Sequence, residues 1–185
     1  EDLFLDIKEN PNKIKMSYTG PGGSGHVQAI IYEQLGYKPA LIAYDGGMDG
    51  ILAVLGNQVD FTNANYSTVA PYIESGDLKL LAVSSKNKIK KYPDIPLLKD
   101  LIDKDNRYFN LPFTPLSLLI NKDTDEEIVK KLREASSKAI LDKDFNKFIE
   151  DNSISKLYED YKNVGDMEDF LEEWESKISW LLYDA

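Results

Sequence analysis

Thr19-Gly20-Pro21-Gly22-Gly23-Ser24-Gly25-His26 joins two stretches of different periodicity, and its reading decides the fold. Before it, Lys13 to Tyr18 alternates, with Ile14, Met16 and Tyr18 on one face of a strand. After it, Val27, Ile30, Ile31 and Leu35 recur at helical spacing, and Gly36 supplies a stop. Clustered glycines let backbone N–H groups converge on one point. The helix start adds its own unpaired N–H groups and about half a positive charge. Such a turn is an anion site that needs no Arg or Lys. Ser24 is expected to be the N-cap. Three or four N–H groups at about 1.5–3 kcal/mol each can hold a carboxylate at micromolar affinity once binding costs are subtracted.

Working outward, the pattern repeats. Ala40 to Tyr44 reads as a second strand, Asp45-Gly46-Gly47 as a second tight turn, and Met48 to Leu55 as a helix closed by Gly56-Asn57. A third strand begins at Val59-Asp60-Phe61, followed by a helix from Ser67 to Glu74 stopped by Gly76. Leu78 to Val83 reads as a further strand, and Pro93 and Pro96 break the chain into a loop. Alternating strands and helices imply a mostly parallel sheet flanked by helices, an α/β fold. In such a sheet the turns before the helices share one edge, the edge where ligands bind.

The last third changes character. Leu116 to Ile120 suits a buried strand. Thr124 with Glu127 makes a capping box heading a helix through Ile128, Leu132, Ala135 and Ile140. Phe145, Phe148 and Ile149 mark a short helix. Asp166 is expected to cap a last one carrying Met167, Phe170, Leu171, Trp174, Ile178 and Leu181. Trp174 and Trp180 lie on that helical stripe and read as packing residues.

Composition narrows the function classes. The 185 residues are 42% apolar and 29% charged, a globular composition. No apolar run approaches the roughly 20 residues of a membrane span. Cysteine is absent, so no disulfide or thiolate site exists. A net charge of −10 with scattered lysines argues against nucleic acid and anionic membrane as partners. The chain opens at Glu1 directly into a helix-like stretch, Leu3-Phe4-Leu5-Asp6-Ile7, which is the expectation for a piece of a longer protein.

The glycine turn also partly fits other motifs. Gly20, Gly22 and Gly25 match G-x-G-x-x-G, and Asp45 ends the next strand about 20 residues on, as in a dinucleotide-binding oxidoreductase domain. Against that alternative, the first strand is half polar (Lys13, Lys15, Ser17), whereas a central strand of that fold is buried on both faces. Pro21 also occupies a turn that would have to approach a pyrophosphate. The phosphate-loop pattern fails, because His26 and Val27 follow Gly25. The nucleophile elbow fails at the same place. His26, the sole histidine, sits too close in sequence to Ser24 to act as its base and has no evident orienting acid. Scattered carboxylates give no metal spacing, and Asp123 to Glu127 is a dipole-favoured helix start. Tyr44 and Tyr66 stand beside turns and are open to ligand contact.

Several segments in order resemble one known family. Asn10-Pro11-Asn12-Lys13-Ile14 resembles "NPGK(I/L)", and the glycine turn with His26 resembles a glycine and serine loop leading into a helix with an early histidine. Ala43-Tyr44-Asp45-Gly46-Gly47 resembles "PYKGS", and Leu55-Gly56-Asn57-Gln58-Val59-Asp60 resembles "LLGGQVD". Pro71 to Val83 resembles "PHIKAGKLRALAV", and Tyr92-Pro93-Asp94-Ile95-Pro96 resembles "LPDVPT". These are segments of the solute receptors of tripartite tricarboxylate transporters, the Bug family.

The resemblance implies a two-lobed periplasmic-binding fold of type II that closes on a small organic anion and delivers it to membrane subunits. It implies no cofactor and no catalysis, an extracytoplasmic location and a monomer. Residues 1–110 would be the second lobe, and 111–185 a return segment with helices belonging to the other lobe, with the first lobe outside this chain. Carried over by position, the ligand contacts would be Thr19, Gly22, Gly23, Ser24, His26, Tyr44, Gly46, Gly47 and Asn65. The chain departs from the pattern at Ala64, where members often have Asp, at Asp45 in place of Lys, and at Gly47 in place of Ser. It departs again at Pro96-Leu97-Leu98-Lys99-Asp100, where "PTLAE" is usual. Ligand identity is therefore not carried over.

Overall fold

A computed structural model describes residues 2–85, 87–102, 108, 118–152, 154, 169–176 and 179. The elements that carry the fold are β1 (Lys15–Thr19), β2 (Ala40–Tyr44) and β3 (Phe61–Thr62), with helices α1 (Asp2–Glu9), α2 (Ser24–Gln34), α3 (Gly47–Leu55), α4 (Tyr66–Ser75) and α5 (Leu98–Ile102). Farther on come α6 (Glu126–Ala139) and α7 (Lys143–Asp151), then a helical stretch at 169–176. The sheet is parallel in the order β2-β1-β3, with Met16 beside Leu41 on one side and Phe61 on the other.

β1 is thus the central strand, and neighbouring side chains point to opposite faces. Met16 enters the main core with Phe4 and Ile7 of α1, Ala29 and Tyr32 of α2, Phe61, and Leu98 and Ile102 of α5. Ser17 turns the other way, toward α3, and its Oγ donates to the Gly50 carbonyl at 3.2 Å. The expectation of a half-exposed first strand was wrong: Met16 and Ser17 are both sealed from solvent. Ser17 fits there because its hydroxyl finds a backbone acceptor where α3 comes closest. A Cβ at Gly50 would sit 2.8 Å from that oxygen.

α2 and α3 cover opposite faces, as right-handed crossovers demand when the second step reverses direction across β1. The reversal makes a switch point between β1 and β3, at their C-terminal ends. α2 ends as its sequence foretold. Gly36 is left-handed at φ 87°, its N–H reaches the Glu33 carbonyl at 3.0 Å, and the Tyr37 N–H reaches that of Tyr32 at 2.8 Å. This is a Schellman closure. It leaves the Tyr32 and Tyr37 rings edge-on to Phe4, each with centroids 5.2 Å apart.

Three expectations need correction. Leu78 to Val83 forms no strand; it makes one parallel bridge, Val83 to Leu97, framed by Val83 N–H to Pro96 O and Leu98 N–H to Val83 O. Within Leu116 to Ile120, residues 118–120 are described, and they are irregular and exposed rather than a buried strand. The cap of α6 is Asp125, whose carboxylate accepts from the Glu127 N–H at 2.9 Å, while the Thr124 hydroxyl donates to Asn121 O. The last expected helix is described only at 169–176, where Trp174 is half-buried; Asp166, Met167, Ile178, Trp180 and Leu181 lie outside the described residues.

Candidate functional site

Three helices begin at the C-terminal edge of the sheet: α2 after β1, α3 after β2 and α4 after β3. Their N-caps are Gly23, Gly46 and Asn65, and none of them makes a side-chain capping bond. Away from the sheet the opposite holds. Asp125 caps α6, and Asp142 caps α7 by accepting from Asp144 N–H at 2.9 Å and Phe145 N–H at 3.1 Å. Helix starts normally recruit such a partner, at about 1 kcal/mol each. The uncapped starts are therefore gathered on one edge.

Ser24 is not the cap that the sequence suggested. It is the first helical residue, exposed, and its place as cap is taken by Gly23, which has no side chain to offer. Gly23 is there because nothing larger fits: a Cβ would stand 2.5 Å from Thr19 O and 2.9 Å from Thr19 Oγ1. Glycine is needed at Gly22 too, at φ 82°. Part of the turn is satisfied internally. Gly22 N–H donates to His26 Nδ1 at 3.1 Å, and Gly23 N–H reaches Gly20 O at 3.4 Å. His26 also stacks on Tyr18, with centroids 5.6 Å apart. It braces the turn, and its Nδ1 is engaged by the chain itself.

Among the described residues, the backbone N–H groups of Ser24 and Gly25, and those of Tyr66 and Ser67, have no acceptor. The first acceptor bonds of these helices come from His26 and Val27 to Gly23 O, and from Thr68 and Val69 to Asn65 O. Charge separates the three starts. α2 and α4 carry no acid in the first turn, whereas α3 carries Asp49, whose Oδ2 folds back toward Gly46, and follows Asp45. The positive helix ends facing the β1/β3 switch point are thus the ones left uncompensated.

The remaining expected residues fall into place around this edge. Thr19 ends β1, Tyr44 ends β2, and both are half-buried; Gly46 and Gly47 begin α3. Tyr66 opens α4 with its ring against Tyr92 at 6.1 Å; burial raises its phenol pKa, with Tyr92 adding to the rise. Two side chains passed over in the sequence lie on the same edge. Gln28, one turn below Ser24, accepts from Ser84 Oγ at 3.1 Å, and Asn63, just past β3, accepts from the Tyr32 hydroxyl at 3.2 Å. Gln28 could have been noticed as a polar residue on the Ser24–Tyr32 stripe. Two shallow hollows of the described surface lie away from this edge, against α1 and along α6 (Lys122, Val129, Lys130, Arg133). Among the described residues no cluster of His, Asp and Glu could hold a metal. No described helix is long and apolar enough to cross a membrane.

A parallel sheet flanked by helices is the build that this chain shares with solved periplasmic binding proteins. The chain superposes on a periplasmic transporter structure with a TM-score of 0.76 at 22% identity, covering 98% of this chain and 57% of that one. It superposes on the periplasmic binding protein BugD with a TM-score of 0.74 at 21% identity, over 97% of this chain and 60% of that one. On R. palustris Rpa4515, solved with adipate, the TM-score is 0.70 at 13% identity, over 97% and 60%. In sequence it is 31% identical over 144 residues to the UPF0065 protein in the gbd 5′ region of Cupriavidus necator, covering 76% of this chain and 41% of that protein. It is 23% identical over 143 residues to protein BugT of Bordetella pertussis, covering 76% and 42%.

Residues 1–179 match the model of the tripartite tricarboxylate transporter family receptors, and the chain belongs to that family. It is a family of solute-binding receptors, which leaves the dinucleotide reading of Gly20, Gly22 and Gly25 without support. The chain spans less than half the length of the curated relatives named here.

Proposed function

We propose that this chain is one lobe of an extracytoplasmic receptor that captures a small carboxylate and delivers it to the membrane subunits of a tripartite tricarboxylate-type importer. The observation that carries the reading is the set of N–H groups at Ser24, Gly25, Tyr66 and Ser67 that have no acceptor among the described residues, with no acid in either first turn. A carboxylate at the switch point would satisfy donors that the chain itself leaves open. α3, with Asp45 and Asp49, would be the weaker contributor, so Gly46 and Gly47 would contact the ligand less than Ser24 and Asn65 do.

The same reading places a second lobe opposite this edge. Residues 1–110 form the second lobe, and the cleft closes when another lobe swings down on it by hinge motion. α6 and α7 belong with that other lobe. No residue of α6 is buried, and Ile128, Leu132, Leu141 and Phe148 are exposed. The receptor works as a monomer without cofactor or nucleic acid. BugD and Rpa4515, similar in fold, fit this picture, and the adipate in the latter is a carboxylate of the expected kind.

The test is the melting temperature of the full-length receptor against a carboxylate panel. A ligand at a hundred times its Kd stabilises the folded state by about 2.7 kcal/mol. No shift with any member at millimolar concentration overturns the proposal.

A further inference from the structure

Gln28 and Asn63 each use half of a side-chain amide. The Gln28 Oε1 accepts from Ser84, and the Asn63 Oδ1 accepts from Tyr32. Both nitrogens, Nε2 and Nδ2, are sealed from solvent and have no partner. A buried donor left unmade costs about 1–3 kcal/mol. Two in one neighbourhood are not explained by packing.

Their placement relates them to the ligand edge. Ser24, Gln28 and Tyr32 follow one another at i, i+4 on α2, so they form a single stripe. Side chains on a helix lean toward its N-terminus. Gln28 therefore points from one turn below toward the free amides of Ser24 and Gly25. Asn63 leaves the end of β3 two residues before the α4 cap, and Tyr32 ties it to the same stripe. Gln28 thus lies one turn into α2 and Asn63 two residues ahead of the α4 cap, so each uncompensated helix start has one idle amide near it in the chain.

We infer that Gln28 and Asn63 are specificity-determining residues that donate to a second oxygen of the bound carboxylate. The inference rests on the receptor reading above and adds what the backbone cannot supply, a preference among carboxylates. The oxygen is an acceptor: a carbonyl, a hydroxyl or a second carboxylate. The ligand is short, because one helical turn of about 5.4 Å separates Gln28 from Ser24. Uncharged donors suit this task where the described helix starts of α2 and α4 carry no Lys or Arg in their first turns. Both nitrogens carry hydrogens only, so a ligand whose far end is a methyl leaves them idle.

The experiment measures Kd by calorimetry on the full-length receptor for butyrate, 4-hydroxybutyrate and succinate, in the parent and in Gln28→Met and Asn63→Leu. Circular dichroism confirms that each variant folds. Gln28→Glu, which turns donors into acceptors at constant shape, is the fallback where an apolar variant fails to fold. The parent is expected to prefer an oxygen-bearing probe over butyrate by about tenfold, one good hydrogen bond. Each substitution is expected to bring that ratio to within about twofold while butyrate affinity holds. A ratio that survives both substitutions overturns the inference and leaves the receptor reading standing. Equal parent affinity for all three probes overturns it too. A parent that binds none of them, nor any wider carboxylate, overturns the receptor reading and the inference with it.

Discussion

The Gly22 amide donates to His26 Nδ1 at 3.1 Å, closing a small ring at the head of α2 with the imidazole stacked on Tyr18. A neutral imidazole has one acceptor nitrogen, and here the chain itself occupies it. His26→Phe keeps a ring for Tyr18 and deletes the acceptor. About 1 kcal/mol of bracing is lost, and carboxylate affinity should fall by about fivefold with a melting change of a few degrees at most. Amide exchange at Gly22 should quicken in the variant. Exchange unchanged from the parent speaks against the brace.

Gly23 stands where a methyl group cannot. Its absent Cβ would press on Thr19 O at 2.5 Å, which is backbone and cannot step aside. Gly23→Ala should therefore cost about 1–3 kcal/mol in urea unfolding and misplace the free amides of Ser24 and Gly25. Gly25→Ala is the control. Its Cβ meets Tyr18 Cβ at 3.4 Å, an ordinary contact, so stability should change by less than about 1 kcal/mol. Equal losses for both would separate the turn's shape from its function.

How much of this was legible beforehand depends on what each feature needs. Gly36 and Gly76 were read correctly as stops because a left-handed closure is a local property of the chain. A strand is not local. Leu78 to Val83 has the apolar run of a strand, yet only Val83 pairs, with Leu97, and Leu81 faces solvent. The Ser17 face was misjudged for a similar reason, since nothing near Ser17 in sequence announces the Gly50 carbonyl that satisfies it. In the candidate site, the glycine turn was legible as the junction of a strand and a helix. That Gly23 rather than Ser24 would cap α2, leaving the donors free, turns on backbone geometry that residue types alone do not dictate. Gln28 and Asn63 stayed hidden because an idle amide is recognisable only once its neighbours are known.

Tyr32 gives a prediction in pH. Its phenol is buried, and burial, opposed by the Asn63 bond, holds its pKa far above the ordinary value. The folded protein keeps that proton where the unfolded chain releases it, so the unfolded state binds fewer protons and stability falls as pH rises. The decline should start near the ordinary tyrosine pKa of about 10 and follow Tyr32. Tyr32→Phe should lose about 1–2 kcal/mol at neutral pH, because Asn63 Oδ1 is stranded, and should show a shallower alkaline decline. Urea midpoints from neutral pH to the alkaline limit test both. Parallel curves for parent and variant would assign the decline to other groups.

α6 provides the most direct check on the architecture. Ile128 is 51% exposed and Leu132 38%, on the apolar stripe of a helix with no buried residue. A capped helix of this length is marginal alone, since helices in water gain most of their stability from packing that stripe. Asp125 supplies the cap but no packing surface. Covering what remains exposed of the two side chains would contribute about 1 kcal/mol each. If the other lobe of the receptor covers them, amide exchange over Glu126–Ala139 should be slow in the full-length protein and fast in this chain alone. The isolated chain should also bind a hydrophobic dye more strongly. Ile128→Asp should weaken dye binding by the isolated chain and loosen α6 in the full-length protein. Should α6 exchange equally fast in both, its apolar stripe has no partner within the receptor, and the assignment of α6 to a second lobe is lost.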